Sequence, residues 1–171
     1  RPGGAAGPMG FTVPFAIDTD EVTNYEFGWK MQLFDRELQL NGNAFYVDVE
    51  RLQTTIFDPS ITNLFFSDNA ANAEIMGVEG DVIWAPAAIE GLTLSGAFSV
   101  LDTEIKEVLT PTNDVLAGEE LAFAPTFQGN IRARYEWDLS TQLSADLQSQ
   151  IVYAGSSNSD IIETNKAKVD A

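Results

Sequence analysis

The stretch LSTQLSADLQSQIVY, Leu139–Tyr153, decides the fold class. Leu139, Thr141, Leu143, Ala145, Leu147, Ile151 and Tyr153 fall on one side of an extended chain, interrupted only by Ser149. Ser140, Gln142, Ser144, Asp146, Gln148 and Gln150 fall on the other. Alternation with period two marks a strand with two unlike faces. The run is longer than the five or six residues usual in a soluble sheet. A long strand with one apolar and one polar face suits a barrel that spans a membrane, with hydrocarbon outside and a polar lumen inside.

The same alternation recurs upstream. Tyr25, Phe27, Trp29, Met31 and Leu33 oppose Asn24, Glu26, Lys30 and Gln32; Leu40, Ala44 and Tyr46 oppose Gln39, Asn41 and Asn43. Met76, Val78, Val82 and Trp84 oppose Glu79 and Asp81; Leu92, Leu94, Phe98 and Val100 oppose Thr93, Ser95 and Ser99. Phe127, Ile131, Ala133, Tyr135 and Trp137 oppose Gln128, Asn130, Arg132, Arg134 and Glu136. The pattern predicts six strands over 22–34, 38–52, 73–85, 92–105, 123–137 and 139–153. Residues 1–21 are expected to be an extracellular loop, and 154–171 a loop leading into a further strand. With Arg36 and Glu37 as the turn, Trp29 would face Ala44, Phe27 would face Tyr46, and Phe45 would cover Gly28. The alternation fails after Tyr46, where Val47 and Val49 change face; there the strand is expected to leave the membrane.

Connections alternate in length. Short turns fall near 35–37, 86–91 and 138; long loops fall at 1–21, 53–72, 106–122 and 154–165. Barrels of the outer-membrane kind show this asymmetry, with short periplasmic turns and long extracellular loops. Phe34, Trp84 and Trp137 sit by the short turns, and Tyr25, Phe27, Tyr46, Phe98, Phe127 and Tyr153 lie towards the long loops, as two interfacial girdles would.

Composition narrows the function. The 171 residues carry a net charge of −17 with nine Lys and Arg, which disfavours a nucleic-acid partner. There is no Cys and no His, so thiolate nucleophiles, imidazole bases and the usual zinc sites are excluded. No apolar run approaches the ~20 residues of a spanning helix, a limit that does not touch spanning strands. The chain begins with Arg and shows no signal peptide, and its last residues form no closing strand; it is expected to be a piece of a longer exported protein.

The segment VTNYEFGWKMQLFDRELQLNGNAFYVDVERLQ, Val22–Gln53, resembles the late-barrel signature of TonB-dependent outer-membrane receptors. Tyr25, Glu26, Gly28 and Lys30 match its first strand, and Asn41, Phe45 and Tyr46 its second. NAEIMGVEGDVIWAP, GLTLSGAFSVLDTEI and LAFAPTFQGNIRARYEWDL resemble the strands that follow, with Asn72, Gly77, Glu79, Pro86 and Ala124-Pro125 in order. The resemblance implies active uptake of a scarce nutrient, such as a ferric siderophore, across the outer membrane of a Gram-negative bacterium. It implies as partners outer-membrane lipid, a plug domain, the remaining barrel strands, TonB through an N-terminal part, and a small-molecule iron chelate. It implies neither a cofactor nor an enzyme.

Glu26, Lys30, Glu79, Asp81, Arg132, Arg134, Glu136 and Asp146 are the candidates for the lumen, as a ladder that satisfies its neighbours and docks the plug, or as a substrate path. Arg132 and Arg134 are its best anion receptors, because guanidinium forks suit carboxylate or catecholate. Trp29, Trp84, Phe98, Tyr135, Trp137, Leu143, Leu147 and Tyr153 are the candidates for lipid or girdle. Asp18-Thr19-Asp20-Glu21 offers hard oxygens but lacks the spacing and Gly of a calcium loop. Glu119 and Glu120 point apart on an extended segment and make a poor acid–base pair. No catalytic, cofactor or metal residue is assigned. Two alternatives stand beside the transporter: a non-transport barrel such as a porin or adhesin-like anchor, and a soluble all-β ligand-binding protein of lipocalin type, which would bury Trp29, Leu143 and Leu147.

Overall fold

The structure, a computed structural model, describes residues 17–58, 64–109, 115–162 and 166–170, with the backbone alone at 55–58 and 64–68. Six strands form one sheet: β1 (Glu21–Leu33), β2 (Leu38–Asp58), β3 (Leu64–Trp84), β4 (Leu92–Val108), β5 (Phe127–Ser140) and β6 (Leu143–Ala154). They lie in sequence order, each antiparallel to the next. This is the all-β, up-and-down barrel section expected from the alternation.

Because side chains alternate and the register is continuous, each face can be followed across all strands. One face carries the row Met31–Leu40–Val82–Gly96–Ile131–Ile151, each residue opposite the next. The other face carries Lys30–Asn41–Asp81–Ala97–Asn130–Val152. The apolar face is open: Ile131 is 67% exposed, Leu147 69% and Leu143 59%. On β2 its apolar run from Leu38 to Tyr46 is about nine residues, which on a tilted strand spans about 25 Å, the height of a barrel's lipid band.

The β1–β2 register departs from expectation by two residues. The turn takes four residues, Phe34–Glu37, closed by the Glu37 N–H donating to the Phe34 carbonyl at 2.9 Å. Phe34, Asp35 and Arg36 all have positive φ, at 52°, 52° and 76°. Trp29 therefore opposes Gly42, Phe27 opposes Ala44, Tyr25 opposes Tyr46 and Gly28 opposes Asn43. Phe45 covers a glycine on its other side, Gly77 of β3. The β5–β6 turn also shifts, from Asp138 to Thr141 and Gln142, with Ser140 opposite Leu143.

The strands are longer than the alternation shows. β2 and β3 continue their pairing through Asp58 and Leu64, where a loop over 53–72 was expected; Pro59 and Asn63 of that loop lie outside the described residues. Beyond Tyr46 the faces exchange polarity. The face that was polar now carries Val47, Val49, Ala73, Ile75, Leu101 and Ile105; the face that was apolar carries Asp48, Glu74 and Glu104. Here the strands have the pattern of an ordinary water-soluble sheet, with apolar groups inside.

Two connecting segments cap this inner apolar surface. Val115, Ile161 and Ile162 bury themselves against Ala70, Ala71 and Ile105, with Leu121 and Ala122 alongside. The 118–126 segment runs along β4 by backbone bonds: Gly118 N–H to the Ile105 carbonyl (2.8 Å), Ile105 N–H to Glu119 (2.8 Å) and Leu101 N–H to Thr126 (2.9 Å). It takes the edge of β4 that the expected start of the fifth strand at 123 would have used; β5 begins at Phe127. Lys166 pairs with Glu119. Within 154–171, β7 (Ser157–Asn158) pairs with β8 (Lys168–Val169), apart from the main sheet.

A clasp fixes the chain where it enters β1. β2 bulges after Val49, with Arg51 at φ 59°. The Asn69 amide accepts from the Asp18 N–H at 2.9 Å and donates to the carbonyls of Asp18 and Arg51, both at 2.8 Å. Arg51 in turn pairs with Glu21 at 2.6 Å.

Candidate functional site

The polar face gathers the charged residues singled out in the sequence. Glu26, Lys30, Glu79, Asp81, Arg132, Arg134, Glu136 and Asp146 all lie on it, as the register requires. Trp29, Trp84, Phe98, Tyr135, Trp137, Leu147 and Tyr153 lie on the opposite face, as does Leu143 by alternation along β6.

The charged set divides in two. Towards the long-loop end lies a groove of about 990 Å³ lined by Glu26, Lys30, Asn43, Glu79, Asp81 and Gln128. Three of its charged groups are acidic and one is basic, so it attracts cations. Asn41 donates to Asp81 across β2–β3 at 2.9 Å, and Asn24 donates to Glu26 at 2.5 Å. The Oδ1 of Asn43 is buried and has no hydrogen-bond partner among the described residues. The amides Asn41, Asn43, Gln128 and Asn130 complete the lining. Their signal is the alternation itself, which places them inward without marking them as functional.

Towards the short turns lies the basic set on β5. Arg134 is held by Glu136 at 2.8 Å and by Asp146 at 3.2 Å. Its fork is thus already engaged by two carboxylates. Arg132 meets the neutral Gln150, at 3.4 Å, and has no carboxylate partner among the described residues.

Among the described residues no group of three or more His, Cys, Asp or Glu side chains could hold a metal ion. Glu21 of the acidic 18–21 run is engaged by Arg51, and Glu119 by Lys166. Among the described residues no helix is long and apolar enough to cross a membrane, which leaves crossing by strands open.

A family model described as "TonB dependent receptor-like, beta-barrel" matches residues 3–171. The chain belongs to this family. TonB-dependent receptors are outer-membrane proteins of Gram-negative bacteria. Among curated relatives, the metal-pseudopaline receptor CntO of Pseudomonas aeruginosa, found in two strains, is 28% identical over 140 residues, 82% of this chain and 18% of the relative. Among solved structures, the ferric yersiniabactin uptake receptor FyuA of Yersinia pestis has a TM-score of 0.65 at 18% identity, covering 88% of this chain and 21% of its own. The siderophore receptor PiuA of Acinetobacter baumannii has a TM-score of 0.64 at 18% identity, covering 90% and 21%. The chain thus spans about a fifth of the length of these receptors, and its six-stranded sheet shares the fold of a section of the two solved ones.

Proposed function

We propose that this chain is part of the wall of an outer-membrane transporter that takes up a metal chelate, such as a ferric siderophore. The observation that carries the reading is the open apolar face opposite a polar face with a groove. A soluble binding protein of lipocalin type would bury Leu143 and Leu147 in its core; here they are 59% and 69% exposed. Lipid would cover that face, with Trp84, Phe98, Tyr135, Trp137 and Tyr153 towards its margins and Trp29 within it. The groups on the other face would line the lumen and meet a plug domain and the remaining strands. TonB would act through a part outside this chain. Chelated metal as cargo rests on the named ligands of the relatives, and the family relationship favours transport over enzymatic work.

Deleting the gene that encodes this chain and growing the bacterium on metal chelates supplied one at a time tests the reading. Loss of growth on one chelate, restored by the intact gene, is expected. Unchanged growth and unchanged chelate accumulation over siderophores and other metal chelates would overturn it.

A further inference from the structure

The apolar face is not smooth. Two depressions indent it, one of about 700 Å³ and one of about 300 Å³. They share Val82, Gly96 and Ile131, so they form one continuous furrow. Its lower end is walled by Phe34, Leu38 and Trp84 beside the short β1–β2 turn, and its upper end reaches Phe98 and Tyr153. Gly96 makes the furrow deep, because the neighbouring Leu94 and Phe98 stand on either side of a position with no side chain.

The turn at the lower end carries a cation. Arg36 lies between Phe34 and Glu37, both of which line the furrow. Arg36 is exposed and has no carboxylate partner among the described residues, in a chain of net charge −17. Glu37 is turned aside, accepting from the Ala87 N–H at 3.1 Å; Asp35 is the other carboxylate of the turn. Positive φ at Phe34, Asp35 and Arg36 is a costly shape for residues with a Cβ, and such strain gathers at ligand clamps.

We propose that this furrow is a binding seat for one glycerophospholipid of the inner leaflet, its acyl chain against Val82, Gly96 and Ile131 and its phosphate on Arg36. The proposal rests on the reading of this face as lipid-facing, with the short turns on the periplasmic side. A guanidinium at the membrane boundary suits a phosphate, and an apolar furrow rising from it suits the chain attached to that phosphate.

The test uses the whole receptor that contains this chain, purified in mild detergent and titrated with dipalmitoyl phosphatidylglycerol, with bound lipid counted by native mass spectrometry. Val82→Phe fills the furrow; Arg36→Gln removes the charge. Gly96 is not substituted, because a Cβ there would stand 2.9 Å from the Asn130 carbonyl oxygen. Leu147→Phe, on the same face away from the furrow, is the control. One tightly retained lipid is expected in the parent protein and the control, with retention falling severalfold in Val82→Phe and in Arg36→Gln. Parent-like retention in either variant overturns the seat as described. A receptor that stays monodisperse without detergent would instead overturn the lipid-facing reading beneath it.

Discussion

The indole of Trp29 lies over Gly42, so closely that a Cβ built on that glycine would stand 2.0 Å from the ring's Cζ2. The pair begins a row that crosses the whole sheet: Trp29, Gly42, Gly80, Phe98, Gly129 and Tyr153, each opposite the next. Phe98 leans on Gly80 as Trp29 leans on Gly42; a Cβ on Gly80 would meet its ring at 3.0 Å. Aromatic rings cover the backbone that the glycines leave bare. Gly42→Val must therefore expel the indole from its place. A loss of about 1–3 kcal/mol is expected, the usual range for overpacking, in urea unfolding of the refolded barrel, together with a shift in tryptophan emission. Unchanged stability and emission would show that the ring does not need this glycine.

Ile131 and Asn130 are neighbours in sequence on opposite faces of β5. Ile131→Arg places a charge in the middle of the apolar band and is expected to cost about 2–4 kcal/mol. Asn130→Arg lines an acidic groove and is expected to change stability by about 0.5 kcal/mol or less. Urea titration in phospholipid vesicles reads both. Equal losses would show that the two faces do not differ in their surroundings.

Ile105 is fully buried in the cap, beyond the apolar band. Ile105→Ala is expected to cost about 2–5 kcal/mol, as large-to-small core substitutions do. The loss should be local. The Gly118 amide, which donates to the Ile105 carbonyl, should lose protection from hydrogen exchange, while the amides of Val82 and Gly96 keep theirs. Loss of protection throughout would mean that cap and band unfold as one unit.

Lys106 stands outside the apolar band, 2.8 Å from Glu104 and 3.2 Å from Glu74. Hydrogen bonds to Glu104 first, then to Glu74, raise its pKa above the ordinary lysine value of 10.5. A raised folded-state value means that the ammonium stabilises the folded state below pH 10.5 and that this contribution fades as the pH rises through the raised value. Lys106→Met should lower stability slightly at neutral pH and reduce the loss on the alkaline side, with a smaller effect in high salt. A pH profile parallel to that of the parent protein would contradict this.

What the sequence disclosed follows from where its signal is physically strong. Inside the band, every strand turns an apolar row to one side and polar groups to the other, so the residues from Leu143 to Tyr153 or Phe127 to Trp137 alternate and reveal their faces directly. Beyond Tyr46 the two faces exchange polarity: Val47 and Val49 fall on the face that was polar, and Asp48 on the face that was apolar. That exchange ends the legible pattern although the hydrogen-bonded ladder continues to Asp58. Register was not legible, because it depends on the turn. Phe34, Asp35 and Arg36 adopt left-handed backbone without glycine or asparagine, so no turn signature marks the site. The charged candidates were legible as a face but not as pairs: Arg134 with Asp146 depends on the β5–β6 register. The cap core joins Ile105 to Val115 and Ile161, which no local periodicity connects.

Leu147 and Gln148 offer the sharpest discrimination, because they are adjacent on β6 and the chain contains no cysteine of its own. A nitroxide attached to Leu147→Cys or Gln148→Cys in the receptor in lipid vesicles can be probed with oxygen, which concentrates in hydrocarbon, and with a water-soluble nickel chelate. The label at Leu147 is expected to respond to oxygen and to resist nickel, and the label at Gln148 to do the reverse. Nickel access at Leu147 with oxygen access at Gln148 would contradict a lipid-facing apolar wall around a polar bore.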